Sequence, residues 1–172
     1  MKPIINCIFL ISVISAQMYF SLVACHSQTT TTVSTPTEFL KAIGPNKTIY
    51  LNPGDYDLTS AAGIGSAYIT WEDQYDGSQM LISNVSNLKI IGKGNARILV
   101  TPLYTWVMKF YQSQNIILDN FTMGHIVGGS CIGGVVSLDS CKNVKITNCK
   151  MFGSGTYGME VTNSQNVTVE KC

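Results

Sequence analysis

Ser137-Leu-Asp-Ser-Cys-Lys-Asn143-Val-Lys-Ile146 decides the fold, because the chain carries it four times in variant form. The other copies are Leu81-Ile-Ser-Asn-Val-Ser-Asn87-Leu-Lys-Ile90, Lys109-Phe-Tyr-Gln-Ser-Gln-Asn115-Ile-Ile-Leu118 and Glu160-Val-Thr-Asn-Ser-Gln-Asn166-Val-Thr-Val169. An asparagine anchors each copy. Leu88, Ile116, Val144 or Val167 stands one residue after it, and Ile90, Leu118, Ile146 or Val169 three after it. Ile82, Phe110, Leu138 or Val161 stands five before it. The anchors are 28, 28 and 23 residues apart. Self-similarity at such a period is the mark of a solenoid.

Each coil of such a solenoid needs several short strands, since one strand cannot carry the chain through a full turn. The aliphatic columns on either side of the anchors fill the interior. Asparagine tolerates left-handed backbone and can hydrogen-bond its own turn. Stacked at one position, its amides can donate and accept along a ladder. Asn87, Asn115, Asn143 and Asn166 are therefore read as a structural ladder. Asn120 and Asn148, five after their anchors, offer a second column. Cys149 and Cys172 each fall six after an anchor, so they share a column as stacked thiols or as a disulfide.

Working outward toward the N-terminus, Ala61 to Tyr75 interrupts the repeat and reads as a glycine-rich loop, with a short strand at Tyr68 to Trp71. Before it, Thr48 to Leu51 reads as a strand and Pro53-Gly54 as a turn. Thr35-Pro36-Thr37-Glu38 opens a short helix: Thr35 caps, Pro36 suits the first helical position and Glu38 completes a capping box. Phe39, Leu40 and Ile43 give that helix an apolar face, and Gly44-Pro45 ends it. The first coil of a solenoid has an open hydrophobic end, and this helix is the expected cap.

This combination of a capping helix, "TIYLNPGDYDL" over 48–58 and coils of the form "NVxIxNC" resembles the right-handed parallel β-helix of the pectate-lyase-like superfamily. The resemblance covers residues 35–172 and implies an all-β solenoid; its right-handedness also agrees with the general hand of parallel crossovers. It implies a fold more than an activity, because the superfamily includes lyases, hydrolases, adhesins and non-catalytic binding proteins. Its lyases hold calcium against an acidic sugar with clustered carboxylates. Glu72, Asp73 and Asp76 share one loop, but Asp119 and Asp139 sit at different offsets from their anchors and would not stack with each other. Calcium needs several oxygens converging on one point, so no cofactor is expected, with calcium as the alternative. The hydrolase motifs NxD, DD, GHG and RxK are missing as such, and Gly124-His125-Ile126 lacks a second glycine. Catalytic residues are therefore not assigned.

Residues 1–24 read as a signal peptide, with Lys2 as the positive end and a nearly unbroken apolar run from Ile4 to Ala24. The run approaches the roughly 20 residues that span a bilayer, but Gln17 and the small residues before Cys25 favour cleavage. Leu22-Val23-Ala24-Cys25 resembles the bacterial lipobox, which makes Cys25 the lipidation site. Residues 25–34 then form a polar tether, and 35–172 the β-helix domain. Cys131, Cys141, Cys149 and Cys172 have no zinc spacing, and no metal site is expected.

A formal net charge of +1 and a charged fraction of 12% leave no Lys/Arg cluster to neutralise phosphates, which argues against nucleic acid. Trp71, Tyr75, Tyr104, Trp106, Tyr111 and Tyr157 could supply platforms for sugar rings. The densest acidic and aromatic group is Trp71-Glu72-Asp73-Gln74-Tyr75-Asp76. Trp71, Glu72, Asp73, Tyr75 and Asp76 are accordingly the candidate substrate-binding residues. The reading that results is an exported, non-catalytic repeat protein of the cell envelope, lipid-anchored or periplasmic to extracellular. Polysaccharide is its expected partner, or it serves as a scaffold. It meets the membrane only through Cys25. The alternative is the N-terminal part of a lyase or hydrolase acting on acidic polysaccharide. Because the chain stops inside a repeat, that alternative puts catalytic coils beyond residue 172.

Overall fold

The computed structural model describes residues 27–128, 132–153 and 157–172. The expected signal peptide and the lipidation site at Cys25 lie outside the described residues, as does Cys131. The protein is all-β with predominantly parallel sheets, compatible with a β-helix.

Three sheets share the strands. The first contains β1 (Thr29–Val33), β2 (Lys47–Leu51), β6 (Ser86–Gly92), β9 (Gln114–Asp119), β12 (Lys142–Thr147) and β15 (Gln165–Glu170), in that spatial order. The second runs β3 (Gly54–Asp57), β7 (Ala96–Val100), β10 (Thr122–His125), β13 (Lys150–Phe152). The third runs β4 (Ile69–Gln74), β5 (Gly77–Ser83), β8 (Trp106–Tyr111), β11 (Gly134–Asp139), β14 (Tyr157–Thr162). From β6 onward the chain visits the three sheets in one fixed order. Every pairing is parallel except the hairpin of β4 with β5.

Register follows from the repeat. Leu88, Ile116, Val144 and Val167 are successive partners, as are Ile90, Leu118, Ile146 and Val169. Ile82, Phe110, Leu138 and Val161 form the matching column of the third sheet. Leu118 and Ile146 are completely buried. Because side chains alternate across a strand, a slip of one residue would turn these aliphatics outward.

The corners between sheets use left-handed residues at three fixed positions. Asn46, Asn87, Asn115, Asn143 and Asn166 have φ of 56, 57, 55, 56 and 55°. Three residues before the last four of these, Asn84, Gln112, Ser140 and Asn163 are also left-handed. Five residues after the anchors, Asn120, Asn148 and Lys171 repeat the conformation. A left-handed residue breaks the extended run and turns the chain into the next sheet. Asparagine is among the few non-glycine residues that adopt it readily.

Helix α1 (Pro36–Ala42) begins where expected: the Thr35 hydroxyl accepts from Glu38 N at 3.2 Å, and Ser34 N donates to Glu38 Oε2 at 2.8 Å. Its Phe39 and Leu40 are fully buried, and Phe39 meets Tyr56 edge-on at 6.2 Å.

One expectation is corrected. Thr29–Val33, assigned to the polar tether, is strand β1, paired in parallel with β2. Edge pairing asks only for backbone hydrogen bonds, and β-branched threonine suits it even with exposed side chains; only Val33 of this strand is buried. The short strand expected at Tyr68 to Trp71 is present as β4, which starts at Ile69 and runs three residues further, to Gln74.

Candidate functional site

The β4–β5 hairpin carries every residue expected to bind substrate, and pleating sends them to different partners. Trp71 is half-buried against the core, and its indole N–H donates to Ile64 O at 2.9 Å. Glu72 Oε2 accepts from Gln79 Nε2 at 2.7 Å and from Lys109 Nζ at 2.9 Å. Asp73 Oδ1 accepts from Ser78 Oγ at 3.1 Å. Tyr75, at the turn, is 89% exposed, with its ring 5.2 Å from that of Tyr104. Asp76 receives Leu103 N at 2.6 Å and Tyr104 N at 3.2 Å, so it pins the loop leading into β8. The three carboxylates do not converge. Each is held by its own local donors.

The positive partner of the hairpin is Lys109. Lys89, Lys93 and Arg97, which follow the hairpin in the sequence, make no ion pair with it; Arg97 pairs with Asp55 and Lys93 lies over the Tyr50 ring. Burial pushes the Glu72 carboxyl up, but the hydrogen bonds from Lys109 and Gln79 and the Lys109 charge outweigh that and hold it below its ordinary value. A carboxylate kept ionised in this way is poorly suited to donating a proton to a leaving group.

Gln79 ties this pair to the adjoining aromatic strip. It is buried, and its Oε1 accepts from Trp106 N at 3.0 Å. Trp106 and Tyr157 are paired two strands apart through Gly134, yet their rings stack at 6.4 Å with an interplanar angle of 18°. Gly134 makes this approach possible, since a Cβ there would lie 2.1 Å from the indole. Together the hairpin turn and the third sheet present Tyr75 with Tyr104, the Glu72–Lys109 pair, and Trp106 with Tyr157. Ring faces and charged hydrogen-bonding groups in one strip are the chemistry that holds a sugar.

Asp119 and Asp139 serve the corners. Asp119 Oδ1 accepts from Thr147 Oγ1 at 2.7 Å and Asn148 Nδ2 at 2.8 Å; Asp139 Oδ1 accepts from Ser140 Oγ at 3.0 Å and Asn163 Nδ2 at 3.3 Å. Among the described residues no group of three His, Cys, Asp or Glu is arranged to hold a metal ion. His125 is buried, with Nε2 3.1 Å from Thr105 O and Nδ1 unpartnered; burial lowers its pKa. Cys141, Cys149 and Cys172 are free, and burial pushes the Cys149 thiol up to about 11, so it is unreactive near neutrality.

A groove of ≈ 700 Å³ that sequence reading did not single out opens over the second sheet. Asp55, Arg97, Thr122 and Lys150 form one row across its four strands, with Arg97 Nε 2.6 Å from Asp55 Oδ1. Asp55 and Arg97 are 42 residues apart, across the hairpin, so the repeat does not align them in the sequence.

No family model matches the chain. Over 97 residues it is 31% identical to a protein of Klebsiella phage K64-1 described as a capsule K1-specific depolymerase, covering 51% of this chain. The chain spans only 10% of that relative's length. A glycosyl hydrolase-like protein of Parabacteroides merdae is similar in structure with a TM-score of 0.46 and 14% identity, covering 85% of this chain and 71% of that one. The chain is thus similar over half its length to a small part of a phage depolymerase.

Proposed function

We propose that the chain is an exported, non-catalytic β-helix segment that binds polysaccharide on the strip formed by the hairpin and the third sheet. The observation that carries this reading is the two aromatic pairs, Tyr75 tilted against Tyr104 and Trp106 stacked on Tyr157, on the same sheet and hairpin as the Glu72–Lys109 ion pair. Aromatic rings bury apolar faces while polar edges stay wet, as a sugar requires. The partial match to a capsule depolymerase agrees with a glycan partner. In this reading the three sheets wind as a right-handed solenoid with α1 closing its first coil, and Cys25 carries a lipid anchor.

Non-catalytic binding is preferred because each hairpin carboxylate is committed to separate local donors. Catalysis needs an acid, a base and a charge stabiliser within reach of one substrate. A second reading, in which the chain is part of a larger depolymerase, draws on the same match.

The test is a titration of the purified protein with K1 capsular oligosaccharide and with a panel of neutral and acidic oligosaccharides, followed by calorimetry. Tyr75→Ala with Tyr157→Ala should weaken binding by about tenfold or more, since buried aromatic contacts contribute on the order of 1 kcal/mol each. Trp71 is unsuitable for this test because its indole packs into the core. Equal affinity of the double variant and the parent protein for every oligosaccharide would refute the aromatic strip.

A further inference from the structure

His125 ends β10 with its ring closed off from solvent, and it holds a loop of the aromatic strip. Its Nε2 lies 3.1 Å from Thr105 O. A carbonyl can only accept, so the neutral ring carries its proton on Nε2 and leaves Nδ1 bare. Nδ1 is buried and has no hydrogen-bond partner among the described residues. Thr105 closes the loop 102–105, and its two neighbours, Tyr104 and Trp106, supply rings to the strip. The rest of the loop is fixed by Asp76, which accepts from Leu103 N and Tyr104 N, by the Thr105 hydroxyl on Pro102 O at 2.9 Å, and by Gly134 N on Thr105 O at 3.2 Å. Its backbone packs so closely on Gly133 that a Cβ there would collide with Leu103 O and Thr105 O.

We propose that His125 is a proton-operated latch on this loop: on acidification a second proton enters the ring at Nδ1, the ring leaves its seat, and Tyr104 and Trp106 lose their place in the strip. A proton on Nδ1 makes a cationic ring whose new N–H faces no acceptor. Burial strongly disfavours such a charge until water reaches it. Water reaches Nδ1 when the ring turns out or the loop lifts, and either movement breaks the bond to Thr105 O. Asp76, across the loop, is the charged group that acts on the ring; it favours the protonated form, but less than burial disfavours it. The loop itself offers the Tyr104 phenol, and Val100 and Gly153, beside the His125 backbone, carry no titratable group. Arg97 and Lys150 stand level with Thr122 at the other end of β10, Lys109 is turned to Glu72, and Asp139 to its corner. Glu72 is held below its ordinary value, so it stays ionised where His125 takes up its proton. The latch gives the strip a regulation by pH, and it rests on the reading that the strip binds glycan.

The test follows backbone amide exchange and binding of K1 capsular oligosaccharide by the intact chain at about pH 7.5 and pH 5.0, on either side of the ring's ordinary 6.5. A solvated ring of that ordinary value favours the open loop by up to about thirtyfold over this step. Protection of the Leu103, Tyr104 and Trp106 amides, each relative to the unstructured rate at the same pH, should therefore fall severalfold while amides of β9 and β12 keep theirs. Oligosaccharide affinity should fall over the same step. His125→Gln keeps an N–H for Thr105 O and cannot take the proton, so both falls should vanish in that variant. In the parent protein the loss of protection must also track the titration of the His125 ring followed by NMR. Unchanged loop protection in the parent, a loss centred at another pH, or equal losses in His125→Gln overturns the latch. So does a parent that binds the oligosaccharide equally well at both pH values. If the parent binds no oligosaccharide at pH 7.5, the binding reading fails, and amide exchange alone decides the latch.

Discussion

Asn115 illustrates how one residue type meets two demands. Its φ of 55° is costly for most side chains, and its amide both donates to Asn87 and accepts from Asn143. Asn115→Gly keeps the conformation and loses two hydrogen bonds, a cost of about 1–2 kcal/mol. Asn115→Ala loses the same bonds and adds the left-handed penalty, roughly 1–2 kcal/mol more. Urea denaturation should therefore rank parent, glycine, alanine; equal midpoints for the two variants would mean that conformation contributes nothing. His125 gives a second test, through pH. Burial disfavours its charged form, while Thr105 O and the Asp76 charge oppose that more weakly. Its folded pKa lies below the ordinary 6.5, so the unfolded chain binds the proton more readily. Its contribution is full above 6.5 and is lost as pH falls through 6.5 toward the folded value. Glu72 has a depressed pKa as well, so its contribution is present above 4.5 and lost below it. The melting temperature should fall in two stages on acidification, and His125→Gln should remove the earlier stage alone. An unchanged first stage in that variant would assign it to another group.

At the scale of elements, the sequence repeat made the later strands and their register legible. A fixed offset from each asparagine put Ile146 in the same column as Leu118, and both are buried. Ile146→Asp would bury an unpaired carboxylate at a cost of several kcal/mol or more, and the variant should not accumulate in folded form. Wild-type thermal stability for it would contradict the register. The first repeat was less legible because the hairpin lengthens it: Asn46 precedes Asn87 by 41 residues, against 28 for the next two steps. Lys47 also stands at the position that is aliphatic in the other coils, which hid the fifth asparagine of the ladder. The left-handed column three residues before the anchors was obscured by Gln112 and Ser140. Lys109 could be read as lying beside an inward Phe110, but its pairing with Glu72 depends on how the hairpin folds back. No local pattern encodes that.

For the whole molecule, parallel strands stacked in register explain why function was harder to read than fold. The stack spends most of its asparagines, with Asp119 and Asp139, on corners, so residue types that elsewhere mark chemistry here mark turns. What distinguishes a site is which outward positions escape that role, and this emerges only once three sheets are assembled. Tyr75, Tyr104, Trp106 and Tyr157 come from three segments, brought together by the hairpin and by the missing side chain of Gly134. The most direct measurement is to incubate the purified protein with an acidic polysaccharide, with and without calcium, and to follow binding and new chain ends in the same sample. Saturable binding without any rise in reducing or unsaturated ends is expected. Turnover that disappears in an Asp73→Ala, Asp76→Ala double variant would contradict it and make the hairpin an active site.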